Sequence, residues 1–351
     1  MKTLTVCLNQ SYDIHIGKGL FENCGAYLQP ICKGNRIFII SDSNVFPLYG
    51  KIVESSLCAA GFHVHHFIFP AGEQSKRFET INEIVCAMAE CGMTRTDTVA
   101  ALGGGVTGDM AGFAAAIYMR GIDFVQLSTS LLSDIDSSVG GKTGCDLAKG
   151  KNLIGSFHQP HLVLIDTGAL QTLDPHFFAD GMGEAIKYAL IRSPQLFQQL
   201  SQGSVLDMLE DLIYTCVAIK KDIVEKDEFE KGDRKLLNFG HTLGHAIEQY
   251  YNYETYTHGE AVAIGMVMIT KAAEKNGLAV CGLTDQIINL LQSYHLPTAC
   301  NADLQKLLQI CLSDKKRRAD HLDLVIVPKI GHAVIHPVKT ETLASFFEGV
   351  C

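Results

Sequence analysis

The sequence predicts an α/β protein whose first half carries a largely parallel sheet and whose second half is mostly helical. Three observations predict it. Short β-rich runs alternate with helical patterns as far as residue 175, which is how strand–helix units with a parallel sheet read. From about residue 177 to 294 β-branched clusters become rare and apolar residues recur at helical spacing. The chain has 351 residues, 47% hydrophobic and 19% charged, a composition of about two folded domains rather than of a disordered chain.

Taken in order, strands are expected at 3–8, 36–40, 63–69, 98–102, 124–127 and 162–166, with helices at 78–91 and 108–119. Asp174-Pro175 marks the junction, because the residue before proline is pushed out of helix. The expected domains are therefore 1–175 and 176–351. Segment 259–273 is apolar nearly all round and reads as a buried helix. A late strand is expected at 322–327. No internal repeat or low-complexity tract interrupts the pattern.

A formal net charge of −9 gives no support to nucleic-acid binding. An anionic substrate would need locally concentrated Lys and Arg. No stretch approaches the roughly 20 apolar residues that span a bilayer, and Met1-Lys2-Thr3-Leu4 lacks the apolar run of a signal peptide. The 12 cysteines include no Cys-x-x-Cys pair, so reduced thiols and a cytoplasmic setting are expected. Cys145 stands apart because it lies in a Gly- and Lys-rich segment.

Thr98-Val99-Ala100-Ala101-Leu102 runs straight into Gly103-Gly104-Gly105-Val106-Thr107-Gly108-Asp109. Strand, glycines and helix together bring backbone N–H groups and a helix N-terminus to a pyrophosphate. The plainer alternative is a tight turn, since this is neither the standard dinucleotide fingerprint nor a Walker A loop. Asp42, just after the 36–40 strand, stands where a carboxylate holds a ribose hydroxyl; alone it reads equally as a cap or turn residue.

His241 and His245 are four residues apart in Gly240-His241-Thr242-Leu243-Gly244-His245, hence on one helix face. His258 precedes Gly259 and Glu184 follows Gly183. Three N/O ligands from separate elements, with one position open, make a catalytic zinc site. A single histidine is more often a hydrogen-bonded core residue. The spacing leaves open which two imidazoles ligate. A His-Glu-x-x-His peptidase is disfavoured because Thr242 follows His241.

Positive charge gathers in Gly140-Gly141-Lys142-Thr143-Gly144, Lys149-Gly150-Lys151-Asn152, Lys220, Arg234 and Asp314-Lys315-Lys316-Arg317-Arg318. Glycines beside Lys142 and Lys151 give them room to reach a bound anion. Gly-Gly-Lys-Thr looks like the end of a Walker A loop, but Asp136 occupies the place of the earlier glycine, so nucleoside triphosphate hydrolysis is discounted.

These segments, with Asp136-Ser137-Ser138 and Gly183-Glu184-Ala185-Ile186-Lys187, resemble the 3-dehydroquinate synthase family over almost the whole chain. The resemblance implies a Rossmann-like N-terminal domain, a mostly helical C-terminal domain, an active site in the cleft between them, bound NAD and a catalytic Zn2+ or Co2+. Its implied metal ligands are Glu184, His241 and His258, leaving His245 to touch substrate or relay a proton. Implied NAD contacts are Asp42, Glu73, Lys76, Gly103, Gly104, Gly105, Asp109, Thr129, Ser130, Lys142, Lys151 and Thr172. Implied substrate and catalytic contacts are Arg120, Asp136, Lys142, Asn152, Lys187, Lys220, Arg234, Asn238, His245 and one of Lys315 and Lys316. Ser130 replaces a second Thr, and Ala319-Asp320-His321 replaces a turn that often holds Gly.

The implied substrate is the small molecule 3-deoxy-D-arabino-heptulosonate 7-phosphate. It is converted to 3-dehydroquinate by transient oxidation, phosphate elimination, re-reduction and aldol closure, in a homodimer without nucleic-acid or membrane partners. Glycerol- and alcohol-type dehydrogenases share the architecture, and related sugar phosphate cyclases share the chemistry on substrates lacking the carboxylate. Retention of Arg120, Lys142, Arg234, Asn238 and His245 favours the carboxylate-bearing substrate. A catalytically dead binding protein is the third rival, disfavoured by three intact candidate ligands.

Overall fold

The central strands of the first half are buried on both faces, which is why they read as continuous aliphatic runs. The computed structural model describes residues 1–147, 150–203, 205–315 and 320–350. It divides into two compact units, Met1–Asp174 with Leu209–Glu228, and Pro175–Met208 with Phe229–Cys351.

The first unit holds a seven-stranded sheet built from β1 (Lys2–Val6), β2 (Tyr12–Gly17), β3 (Arg36–Asp42), β4 (His63–Phe69), β5 (Thr98–Gly103), β6 (Asp123–Ser128) and, after a hairpin of β7 (Lys142–Leu147) and β8 (Gly150–Phe157), β9 (Leu162–Asp166). The order is β1-β2-β9-β6-β5-β3-β4. Only β1–β2 is antiparallel; the other pairs are parallel. Side chains alternate across the sheet. Phe38, Ile40, Val99 and Ala101 enter one core with Ile81, Ile84 and Met110. Ile37, Ile39, Ala100 and Leu102 enter the other with Val53, Leu57 and Val125. The chain leaves β3 for β4 on one side and returns to β5 on the other, so the strand order reverses between β3 and β5. The carboxyl ends at such a point form a ligand crevice.

Three features depart from the sequence expectation. The helix Gly105–Ile117 begins on the last of the three glycines, three residues earlier than periodicity indicated. The β7–β8 hairpin hid in Gly-rich sequence, because its backbones pack where side chains do not fit: a Cβ on Gly155 would sit 2.2 Å from the Thr143 carbonyl. The stretch after residue 175 is also not all one unit, because Leu209–Glu228 groups with the first. Helix Leu209–Lys226 packs in the first unit, burying Leu212, Ile213, Cys216, Val217, Ile223 and Val224. Its Glu225 carboxylate accepts from the Cys7 N–H at 2.6 Å. The apolar stripe was legible, but a stripe does not name the surface it covers.

The second unit is mostly helical, with a terminal hairpin of β10 (His321–Lys329) and β11 (His332–Lys339). Helices Pro175–Arg192 and His258–Lys275 bury nearly every residue in their middle turns. They touch through glycine: a Cβ on Gly183 would lie 2.9 Å from the Gly259 carbonyl, and one on Gly259 2.0 Å from the Asp180 carbonyl. Among the described residues no helix is long and apolar enough to cross a membrane.

Candidate active site

In the first unit the glycine loop lies at the β3/β5 reversal. Gly104 caps helix Gly105–Ile117 in extended conformation. A Cβ there would stand 3.1 Å from Ser130 Oγ, and one on Gly105 3.0 Å from Ser137 Oγ, so a side chain at either position would crowd a serine hydroxyl. Thr129 donates its N–H to the Gly103 carbonyl at 3.2 Å. Asp42 ends β3; its Oδ1 accepts from the Asn44 and Val45 N–H groups and its Oδ2 from Thr107 Oγ1 at 3.3 Å. Asp42 is thus a turn-forming residue beside the loop, with one oxygen held by backbone.

Near this loop charged groups interlock. Lys76 Nζ is 2.7 Å from Asp109 Oδ2, and Lys151 Nζ is 3.4 Å from Glu73 Oε1. Burial alone would depress the Lys76 ammonium, but the Asp109 and Glu73 charges hold it above its ordinary value. Lys220 bonds both the carbonyl and the carboxylate of Asp136. Lys142 opens β7 and is exposed; Asn152, on β8, is exposed with φ 53°. Arg120 is exposed in a left-handed turn after the helix. Thr172 Oγ1 bonds the Ala169 carbonyl and the Tyr49 hydroxyl.

In the second unit the glycine contacts deliver three donors to one place. Glu184 is fully buried next to Gly183, His258 precedes Gly259, and His241 follows Gly240, whose φ is 79°. Donor atoms of Glu184, His241 and His258 lie within 4.8 Å of one another. Glu184 Oε1 is 3.5 Å from His241 Nε2 and 3.8 Å from His258 Nε2. The edge of a tetrahedron with zinc-like bonds is about 3.4 Å, so the set fits a divalent ion. His241 Nδ1 donates to the Phe239 carbonyl at 3.1 Å, which turns Nε2 toward Glu184. Burial, then the Lys187, His258 and His245 charges, hold His241 well below its ordinary pKa, leaving it the neutral imidazole a metal requires. Burial also pulls His258 down, but Glu248, Glu184 and Asp180 raise it to about 9; a metal must displace that proton. The other carboxylate oxygen of Glu184 pairs with Lys187. His245 is exposed, its ring 5.6 Å from that of His241 and 5.9 Å from that of His258.

Residues 66–180 match the model of the 3-dehydroquinate synthase N-terminal region, and residues 181–317 that of the C-terminal region. The chain belongs to the 3-dehydroquinate synthase family. The 3-dehydroquinate synthase of Clostridium acetobutylicum is 44% identical over 347 residues, 97% of this chain and 98% of that one. That of Streptococcus suis is 46% identical, covering 98% and 99%. Among solved structures, a 2-deoxy-scyllo-inosose synthase complexed with carbaglucose-6-phosphate, NAD+ and Co2+ is 27% identical with a TM-score of 0.88, covering 99% of this chain and 100% of that one. A 2-epi-5-epi-valiolone synthase from Streptomyces hygroscopicus subsp. jinggangensis, with NAD+ and Zn2+ bound, is 28% identical with the same TM-score, covering 99% and 98%. A probable glycerol dehydrogenase from Sinorhizobium meliloti, 16% identical with a TM-score of 0.57, shares the fold alone.

As a member of the 3-dehydroquinate synthase family the chain carries further polar residues that sequence reasoning missed. Glu230 accepts from the Asn238 side-chain amide at 2.8 Å. Asp146 accepts from the Asn152 N–H at 2.7 Å. Buried Glu248 lies 3.6 Å from His258 Nδ1. Asp180 accepts from the Gly259 N–H at 2.5 Å. Only Glu248 had a signal, its seven-residue spacing from His241 on one helix face. Arg234 is 1% exposed, deeper than a solvated cation would sit. Cys145 is fully buried in the sheet-side core, and burial raises its thiol pKa, so it is a packing residue. Lys315 ends helix Leu304–Lys315; Lys316 lies outside the described residues.

Proposed function

We propose that the chain converts 3-deoxy-D-arabino-heptulosonate 7-phosphate to 3-dehydroquinate and phosphate, as a ring-closing lyase of the shikimate pathway toward chorismate and the aromatic amino acids. The observation that carries this is 44% to 46% identity to 3-dehydroquinate synthases over almost the whole of both chains. NAD+ and a divalent Zn2+ or Co2+ ion, when bound, supply a reversible oxidation of a secondary alcohol and a Lewis acid at its oxygen.

The chain's own residues bind, orient and move protons. The Gly103, Gly104 and Gly105 backbone and the following helix N-terminus hold the NAD+ pyrophosphate, with Asp42, Glu73, Lys76, Asp109, Thr129, Ser130, Lys151 and Thr172 around the rest. Glu184, His241 and His258 hold the ion. Arg120, Lys142, Asn152 and Lys220, the last oriented by Asp136, together with Lys187, Arg234, Asn238 and one of Lys315 and Lys316, bind a substrate that is anionic at both ends. Cations on the phosphate stabilise it as it departs. His245, exposed and beside the ligands, carries a proton at its imidazole.

The active species is a cytoplasmic homodimer. None of the eleven described cysteines is in a disulfide, which supports a reducing compartment. Incubation with the heptulosonate phosphate, NAD+ and Zn2+ or Co2+ tests the activity: phosphate and 3-dehydroquinate should appear together. Failure to turn over this substrate, with turnover of a sugar phosphate lacking the carboxylate, would replace it with the sister cyclase reading.

A further inference from the structure

We propose that Glu248 is a positioning residue that sets the tautomer and ring orientation of His258 for the divalent ion. This rests on the reading that the ion is held by Glu184, His241 and His258. The His258 ring lies between two carboxylates. Its Nε2 is 3.8 Å from Glu184 Oε1 and its Nδ1 is 3.6 Å from Glu248 Oε1. The two nitrogens leave an imidazole in different directions, so turning Nε2 to the ion leaves Nδ1 carrying the proton. Glu248 is the acceptor on that side. The separation is that of an ion pair, within a small ring rotation of a hydrogen bond.

His241 provides an internal parallel. It too presents Nε2 to Glu184 Oε1, at 3.5 Å, while Nδ1 donates to a protein oxygen, the Phe239 carbonyl. Both imidazoles thus offer the same nitrogen to the same carboxylate oxygen, each backed on its other side by an acceptor. Carboxylate–histidine–metal arrangements of this kind raise ligand basicity and fix the ring. Glu248 is 2% exposed, a depth at which a carboxylate is costly without a cationic or donor partner. It lies seven residues after His241 on helix His241–Tyr250. One helix therefore carries both a ligand and the group that turns the ligand opposite.

A competing arrangement exists. Donor atoms of His245, Glu248 and His258 also lie within 4.8 Å of one another. An ion there would take Nδ1 of His258 and would use exposed His245, whereas the Glu184 set draws on two buried ligands. The mirrored tautomers favour the Glu184 set.

The test uses the full chain stripped of metal and Co2+ alone as probe, read by its visible ligand-field spectrum. Glu248→Gln, which keeps an acceptor without charge, should raise the Co2+ dissociation constant about 10-fold. Glu248→Leu should raise it up to ~100-fold. The spectrum of the saturated Gln variant should keep the wild-type form, and NAD+ affinity should not move. Wild-type Co2+ affinity in both variants overturns the proposal, as does a lowered melting temperature with unchanged affinity. A changed ligand field in Glu248→Gln, together with loss of Co2+ in His245→Ala, would make Glu248 a ligand and also overturn it. Should Glu248→Leu fail to fold, Glu248→Gln decides alone. His241→Ala separates the two readings: if it binds Co2+ like wild type, the Glu184–His241–His258 assignment fails. If it loses Co2+ while the Glu248 variants do not, only the role of Glu248 fails.

Discussion

Replacing Asp134 by Asn should stabilise the first unit, by an amount that grows with pH. Asp134 lies in the helical turn Ser133–Ser137 and is fully buried. Neither carboxylate oxygen has a hydrogen-bond partner among the described residues. Burial raises its pKa to about 8, with the Asp166 charge adding to the rise; the Ser128 hydroxyl, itself bonded to Ser133, opposes it. In the unfolded chain the group ionises near 3.9. Between those values the unfolded state has lost its proton and the folded state has kept it, so stability falls as pH rises, by about 1.4 kcal/mol per unit. The full cost, approached above pH 8, is on the order of several kcal/mol. Below the unfolded pKa it vanishes. Asn resembles the protonated acid in shape and does not titrate, so the variant escapes the slope. Urea-dependent hydrogen exchange of β5 and β6 peptides reports this unit alone. The variant-minus-wild-type difference should widen by about 1.4 kcal/mol per unit from pH 5 to 8. A difference that stays flat over that window means Asp134 is ionised in the fold and refutes the reasoning. An infrared carboxylic acid band at neutral pH, absent from Asp134→Asn, would support it independently.

Four further outcomes are expected. Chelation should abolish turnover and Zn2+ or Co2+ restore it; full activity in protein shown metal-free by elemental analysis would contradict that. Gly104→Val should weaken NAD+ binding with far-UV circular dichroism unchanged, because a branched Cβ meets Ser130 where the backbone should approach the pyrophosphate; unaltered affinity would make the loop a simple turn. Many turnovers should release phosphate with no net NADH absorbance, whereas one NADH per product would indicate a dehydrogenase. His241→Ala should lose metal and activity together, while His245→Ala keeps metal and slows by ~10²–10⁴-fold; mass spectrometry of both variants checks the split, and a reversed result exchanges the two roles.

The sheet was legible where strands are buried on both faces. The strand expected at 162–166 coincides with β9, and that at 98–102 with all but the last residue of β5, because continuous apolar runs bounded by turn residues have few other uses. Strands β2, β7, β8 and β11 were not legible. In β2, Asp13 and His15 alternate with Tyr12, Ile14 and Ile16, a half-exposed pattern that is weak over six residues. In β7 and β8 glycines replace the side chains that would have signalled a strand. The candidate metal set was legible as residue types in Gly-flanked contexts, but spacing alone could not choose among three imidazoles. Burial differs among them: His241 is buried, His258 half-buried and His245 exposed. Glu230 stayed hidden because a supporting carboxylate obeys no motif, and the spacing of Glu248 from His241 put it on the right helix face without saying what it meets across the fold.

Why the proposed ligand residues sit next to glycines follows from distance. Three side chains can meet one small ion only if the helices carrying them approach closely, since a histidine or glutamate reaches only a few ångströms from its backbone. Gly183 lies against Gly259, and Gly265 against the Gly240 carbonyl, which a Cβ on Gly265 would approach to 2.1 Å. These contacts fix the spacing of the helices that bear Glu184, His258 and His241. Gly244, between His241 and His245, packs on Val262 of the same apolar helix, where a Cβ would stand 3.1 Å from the Val262 Cα. A methyl group at any of these positions would push neighbouring helices apart without touching a donor atom. Gly244→Ala, at the least crowded of them, should therefore weaken Co2+ binding while leaving all three ligands in place, and a variant that binds as wild type would show that the helices have slack the geometry denies.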